Sequence, residues 1–310
     1  MVQATADTVS AAIPKAASHT EFARAKINLA LHVLERRDDG YHLLDSLVVF
    51  AEAGDTLTAF PDNEGFVDLD LGGLFAGGLD PTTTPDTNLV LAAAKALCEA
   101  YPGRPTAGLK LYLDKQLPVA AGLGGGSADA AAALRLLDRL WHMGLSDGEL
   151  ARLGLSLGSD VPVCLSSRPS FMRGVGEDVT PAPGIPPLTV LLVNPGASVS
   201  TPAVFGRLDP VKRTPLPPLP DFGGSLMEFI FWLRKTRNDL FEPAIAEAPA
   251  VETAVRTLAA DADCLFARMS GSGATVFGIF MSPEAGRRAA ERIRAARPQW
   301  WVAVTRTGGS

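Results

Sequence analysis

From Ile27 the chain alternates without a slip. Ile27, Leu29, Leu31 and Val33 fall on one face, and Lys26, Asn28, Ala30 and His32 on the other, the period-two signature of a half-buried strand. Asp38-Asp39-Gly40 predicts a turn, and apolar chain over 43–50 predicts the second arm of a hairpin. A separate short strand is expected over 55–60. After a loop rich in Gly, Pro and Thr, a helix is predicted over 88–101, closed by Pro102-Gly103. Leu109, Leu111 and Leu113 alternate with polar neighbours as another strand. Glycines at 122 and 124–126 interrupt the chain, and a helix follows with Ala130, Ala133, Leu134, Leu137 and Trp141 on one stripe. Ser146 with Glu149 three residues on predicts a capped helix start.

The second half predicts strands over 189–193, 264–269, 275–280 and 300–304, with helices over 226–235, 251–258 and 285–296. The five prolines 210, 215, 217, 218 and 220 forbid an ordinary helix or inner strand between Asp209 and Asp221. Strands mixed with helices, without regular βαβ alternation, predict an α+β fold in two lobes. The expected division is a loose tail over 1–20, a first lobe over 21–183 and a second over 184–310.

Composition narrows the partners. At 310 residues, 47% hydrophobic and 20% charged, the chain has ample core for two ordinary domains and is neither disordered nor collagen-like. Its apolar runs are too short to cross a bilayer, and no basic segment followed by an apolar core opens it, so neither membrane insertion nor a signal peptide is expected. A net charge of −6 argues against an extended nucleic-acid footprint. Cys98, Cys164 and Cys264 lie far apart, which suits free thiols in a reducing cytoplasm.

Three segments carry candidate chemistry. The stretch Pro118 to Ala128 contains Gly122-Leu123-Gly124-Gly125-Gly126-Ser127 between a strand and an alanine-rich helix. Such glycines let backbone N–H groups at a helix start meet a polyphosphate, although a glycine loop can equally be a tight turn before a buried helix. No Lys follows, so it is not a P-loop; position 127 is Ser, so the dinucleotide GxGxxG pattern fails as well. Asp160, within Gly158-Ser159-Asp160-Val161-Pro162, reads as a helix cap or as a partly buried acid. Lys26 reads as a solvated strand lysine or as a cation beside that acid. Taken together, a phosphate cradle, a cation and a carboxylate are the parts phosphoryl transfer requires, and an adjacent ammonium favours the charged form of a carboxylate. The four histidines lack metal-ligand spacing, and no GxSxG elbow is present. Ser270-Gly271-Ser272-Gly273-Ala274 is either a plain hairpin connection or a second set of N–H donors.

With these segments in hand, the chain resembles the GHMP kinases (galactokinase, homoserine kinase, mevalonate kinase and phosphomevalonate kinase). The resemblance rests on Ala25-Lys26-Ile27-Asn28-Leu29, Asp39-Gly40-Tyr41-His42, the glycine loop, Leu157-Gly158-Ser159-Asp160-Val161-Pro162, Ser200-Thr201-Pro202-Ala203-Val204-Phe205, Asn238-Asp239-Leu240-Phe241-Glu242 and the 270–274 turn. These occur in the family's order over about 24–280. The Gly-Tyr-His turn with the Thr-Pro…Phe segment resembles the members that act on a cytidyl diphosphate of methylerythritol in isoprenoid precursor synthesis.

The resemblance implies an N-terminal lobe like ribosomal protein S5 domain 2, a ferredoxin-like C-terminal lobe, and ATP with Mg²⁺ as cofactors. Asp160 and Lys26 would be catalytic. Pro118, Gly122, Leu123, Gly124, Gly125, Gly126, Ser127 and Ala128 would hold ATP, with Asn88 and Lys115 near its adenine. Asn28, Tyr41, His42, Thr201, Phe205, Gly271 and Gly273 would face the acceptor, the base stacking against Tyr41 and Phe205. Ser127 is the metal candidate, although the Ala128-Asp129 that follows departs from the family's usual small polar residue. The expected partner is a small molecule, met by a cytoplasmic monomer or homodimer. A mevalonate- or sugar-type kinase and a non-catalytic sensor on the same fold remain alternatives.

Overall fold

The alternation that opens the chain forms one of two unusually long strands. β1 (His19–Arg36) and β2 (His42–Pro61) pair antiparallel from Arg36 opposite His42 to His19 opposite Ala59. The expected separate strands over 43–50 and 55–60 are therefore one. Glu52-Ala53-Gly54 looks like a break, but β2 continues through it. Between Arg24 opposite Gly54 and Lys26 opposite Phe50 the ladder passes one residue of β1 and three of β2, so β2 bulges there, and a Cβ at Gly54 would collide with the Ala23 carbonyl. The computed structural model describes residues 19–62, 65, 67–80, 84–104, 106–209 and 213–308. Of the predicted tail, 1–18 lie outside these; His19 and Thr20 already belong to β1. Pro210 of the proline-rich segment also lies outside.

β3 (Val67–Gly72), β4 (Leu109–Asp114), β5 (Ser170–Gly174) and β6 (Asp178–Pro181) complete the first sheet, in the order β3-β4-β2-β5-β6 with β1 on β2. Its helices are α1 (Leu89–Ala100), α2 (Gly125–Leu140), α3 (Asp147–Leu157) and α4 (Val161–Ser166). The predicted cap of α3 is present in full: Ser146 accepts from the Glu149 N–H, and Glu149 accepts from the Ser146 N–H. α2 was expected to bury one stripe, yet every residue from Ala128 to Leu134 is buried. Its alanines are small enough to pass close to β1, α1 and α4 at once.

The second sheet, β10-β7-β9-β8, uses β7 (Thr189–Asn194), β8 (Cys264–Met269), β9 (Val276–Phe280) and β10 (Trp301–Arg306), all antiparallel. α5 (Thr201–Gly206), α6 (Leu226–Leu233), α7 (Phe241–Glu247), α8 (Ala250–Ala259) and α9 (Pro283–Ala296) complete this half, α8 and α9 packing on the sheet. Residues of β1 and β2 share a core with β7, β9 and α6. Leu31 also bridges to Asn238, and Ala51 to Thr307, so the first hairpin runs along the seam between the two sheets. Among the described residues no helix is long and apolar enough to cross a membrane.

Candidate active site

A cleft of about 850 Å³ is lined from both halves of the molecule, and it gathers residues distant in sequence: Lys26, Asn28, Tyr41, His42, Asn88, Lys115, Gly122, Asp160, Thr201, Phe205 and Gly271.

At its centre the Lys26 ammonium lies 2.9 Å from the Asp160 carboxylate. Lys26 is only 4% exposed, so it is no solvated strand lysine. Asp160 stands at the N-cap of α4, but its side chain makes no capping hydrogen bond; the carboxylate turns to Lys26 instead. Lys26 also donates to Asn28 Oδ1 at 3.2 Å. The Asn28 Nδ2 donates to Ser46 Oγ at 2.9 Å, and the Ser46 hydroxyl donates onward to the Ala30 carbonyl at 2.7 Å. Each polar group in this chain has one assigned direction, which holds the amide in a single orientation.

The glycine loop becomes the start of α2. Gly124 takes a left-handed backbone (φ 62°) as N-cap and offers no side-chain cap, and Ala128 is the first to donate back into the helix, to Gly124. The N–H groups of Gly125, Gly126 and Ser127 therefore open towards the cleft at the positive end of a four-turn helix. The loop is held from both sides: Leu123 accepts from the Lys26 N–H at 2.8 Å, and Ala121 from the Thr275 N–H at 3.0 Å. A Cβ at Gly122 would strike the Ser270 carbonyl and the Gly273 backbone. The 270–274 turn thus butts directly against the loop. Ser270 Oγ donates to the Gly122 carbonyl at 2.8 Å and accepts from the Asn28 N–H at 3.1 Å. Asn238 clamps the turn from behind, donating to the Met269 and Gly271 carbonyls at 2.9 Å each.

Behind the loop, Lys115 donates to Asp55 at 2.6 Å and to Asp129 at 2.7 Å, all three side chains being about 5% exposed or less. Asp55 Oδ1 also accepts from the Gln116 and Leu117 N–H groups. Burial pushes Lys115 down, but Asp129 and Asp55 outweigh it and hold its ammonium above the ordinary value. Burial, opposed by Lys115 and reinforced by Asp55, carries Asp129 up to about 7. Its Oδ1 is buried and unpartnered. Sequence reasoning put Lys115 beside a ligand and missed both aspartates; alternation in β2 and helical period in α2 carry no trace of an ion pair across sixty residues.

Asn88 caps α1, accepting from the Val90 N–H at 2.9 Å, which leaves its amide N–H₂ towards the cleft. At the other end Tyr41 is 65% exposed, His42 and Phe205 stand ring to ring at 5.2 Å, and Thr201 shares a hydrogen bond with Ser272 at 2.7 Å. Pro118 and Ser127 also line the cleft, whereas Leu123, Ala128 and Gly273 shape the loop and turn from behind the lining. Among the described residues no group of three or more His, Cys, Asp and Glu could hold a metal.

An uncapped helix start facing a Lys–Asp pair is an arrangement for anion binding and hydroxyl activation. The models for the GHMP kinases N terminal domain and the GHMP kinases C terminal match residues 88–168 and 223–299. The chain is 48% identical over 292 residues to the 4-diphosphocytidyl-2-C-methyl-D-erythritol kinase of Parvibaculum lavamentivorans, covering 94% of this chain and 98% of that one. To the protein of the same name in Ruegeria pomeroyi it is 49% identical over 284 residues, covering 91% and 96%. A crystal structure of 4-(cytidine 5'-diphospho)-2C-methyl-D-erythritol kinase superposes with a TM-score of 0.75 at 33% identity, over 94% of this chain and all of that one. Homoserine kinase from Cytophaga hutchinsonii, at 17% identity and TM-score 0.69, shares the fold. The two matched models and the relatives at nearly half identity over almost the whole chain establish the family: the chain belongs to the GHMP kinases and is a small-molecule kinase.

Proposed function

We propose that this kinase transfers the γ-phosphoryl group of ATP to the 2-hydroxyl of 4-diphosphocytidyl-2-C-methyl-D-erythritol, a step of isoprenoid precursor synthesis. The observation that carries the reading is the Lys26–Asp160 pair at 2.9 Å in the same cleft as the open N–H groups of α2. The acceptor assignment draws on the relatives' names and on the aromatic end of the cleft. Tyr41 presents an open ring face, and Phe205, already backed by His42, presents another, which suits a flat pyrimidine.

In the reaction the 2-hydroxyl oxygen attacks the γ-phosphorus, and the bond to the β–γ bridging oxygen breaks. Asp160 orients the hydroxyl and takes its proton, late if the transition state is loose. Lys26, fixed by Asn28, meets the charge that builds on the transferring phosphoryl oxygens. The N–H groups of Gly125, Gly126 and Ser127 hold the donor phosphates, and the amide of Asn88 meets the adenine. Lys115 braces this nucleotide end through Asp55 and Asp129. Thr201, Gly271 and Gly273 shape the acceptor side.

Mg²⁺ fits this site as an ion carried on the phosphates. The Ser127 hydroxyl, on the cleft lining at the start of α2, would supply a ligand, and Mg²⁺ needs only one or two such ligands beside phosphate and water. When bound it would neutralise phosphate charge.

The test is incubation with ATP, Mg²⁺ and the cytidyl methylerythritol, followed by phosphorus NMR. ADP and a new phosphomonoester are expected in equal amounts, with CDP competing against the acceptor. Turnover of mevalonate or a sugar in its place, without competition by CDP, would overturn the acceptor.

A further inference from the structure

An acceptor that bears a diphosphate needs a positive partner, and both lysines of the cleft are already committed. Lys26 is paired with Asp160, and Lys115 with two aspartates. The remaining cation lining the cleft among the described residues is Arg36, and no described carboxylate lies within ion-pair distance of it. Arg36 ends β1 directly opposite His42 in the ladder. Arg213, from a different part of the chain, approaches the same end of β1, its backbone bonded to Leu34 two residues before Arg36. Burial first, and then the charges of Arg36 and Arg213, hold His42 below the ordinary imidazole value, so both guanidinium groups lie within electrostatic reach of the ring that contacts Phe205.

Arg213 is not loosely placed. It opens the described part of the proline-rich segment, 213–221, which is bonded to both β1 and β2. The Arg213 N–H donates to the Leu34 carbonyl at 2.9 Å, and the Leu216 N–H to Asp45 Oδ2 at 2.9 Å. Between them the Thr214 carbonyl accepts from Arg237 Nη2 at 2.8 Å and is 3.0 Å from His32 Nδ1. Prolines stiffen what these bonds hold. In a chain of net charge −6, Arg36 on the cleft lining and Arg213 near its end, neither ion-paired with a carboxylate among the described residues, form a local reversal of sign, suited to an anion that arrives from solution.

We infer that Arg36 and Arg213 form a clamp for the acceptor's diphosphate, making the kinase select a nucleoside diphosphate-linked alcohol over an uncharged nucleoside. The inference rests on the acceptor reading above and adds to it the residues that meet the charge. A guanidinium fork matches phosphate oxygens in pairs, which a lysine does not.

Calorimetric titration of the full chain with CDP and with cytidine, for the unaltered protein, Arg36→Ala, Arg213→Ala and Arg36→Lys, tests it. CDP affinity is expected to fall about tenfold in each alanine variant, as for one charge-assisted contact, with cytidine affinity held within about twofold. Arg36→Lys should recover part of the loss, and the acceptor KM should rise while the ATP KM holds. Equal loss for CDP and cytidine, or no loss for CDP, overturns the clamp while leaving the acceptor intact. If the unaltered protein binds neither CDP nor cytidine, the acceptor reading falls and the clamp with it. Circular dichroism of each variant separates these outcomes from misfolding.

Discussion

The two buried lysines of the cleft stand about as close to carboxylates as each other, yet they are built for different work. Lys26 has one acid, and Asp160 remains a third exposed. Lys115 has two acids, both almost fully buried, and one of them is bonded to two further backbone N–H groups. The first pair is open on the side where substrates enter, so either member can exchange its partner for a hydroxyl or a phosphoryl oxygen. The second is closed on itself, and its ammonium lies against Gly125, where a Cβ would stand 3.4 Å from Nζ. Distance alone therefore does not separate a reactive pair from a brace; exposure and the number of remaining bonds do.

The sharpest way to break this contrast is to neutralise each side in turn. Asp160→Asn keeps the shape and removes the base, so turnover should fall about 10³-fold while ATP binding and the melting temperature hold. Retained turnover would take Asp160 out of the mechanism. Lys115→Met should act in the opposite sense, on the fold. It strands Asp55 and Asp129 in the interior, a loss of about 3–5 kcal/mol to be read from urea unfolding. Abolished turnover in a Lys115→Met protein of normal stability would erase the distinction.

The smallest effect concerns pH. Asp129 is held at about 7 against an ordinary 3.8, so between these values the folded chain keeps a proton that the unfolded chain has released. By linkage this group's contribution to stability declines as pH rises through that window, and the decline is complete above about 7. Asp129→Asn, neutral throughout, should give a flatter melting temperature between pH 5 and 8 than the unaltered chain. An unchanged slope would mean that Asp129 does not titrate there.

Much of this was legible before any coordinates. The glycine loop, the Ser146 cap, the Asn88 helix start and the Lys26 strand all carry local signals: turn chemistry, caps and period two. α4, α5 and α7 were not anticipated, because six or seven residues make fewer than two helical turns and show no period; the strands β3, β5 and β6 were missed as well. The single long β2 was hidden by Gly54, which marks a bulge within β2 and not a turn. Asp55, Ser46 and Arg213 had no local signal at all, since their partners lie far along the chain and only folding brings them together.

The interlock of Gly122 with the 270–274 turn has a practical consequence for anyone who would redesign this enzyme. Each of the two segments is the other's mould, with the Ser270 hydroxyl as the dowel between them. A graft from a sugar kinase that replaced the loop alone would inherit a mismatched socket. The transplantable unit is discontinuous, and it includes Asn238, 116 positions downstream of the glycine it indirectly supports.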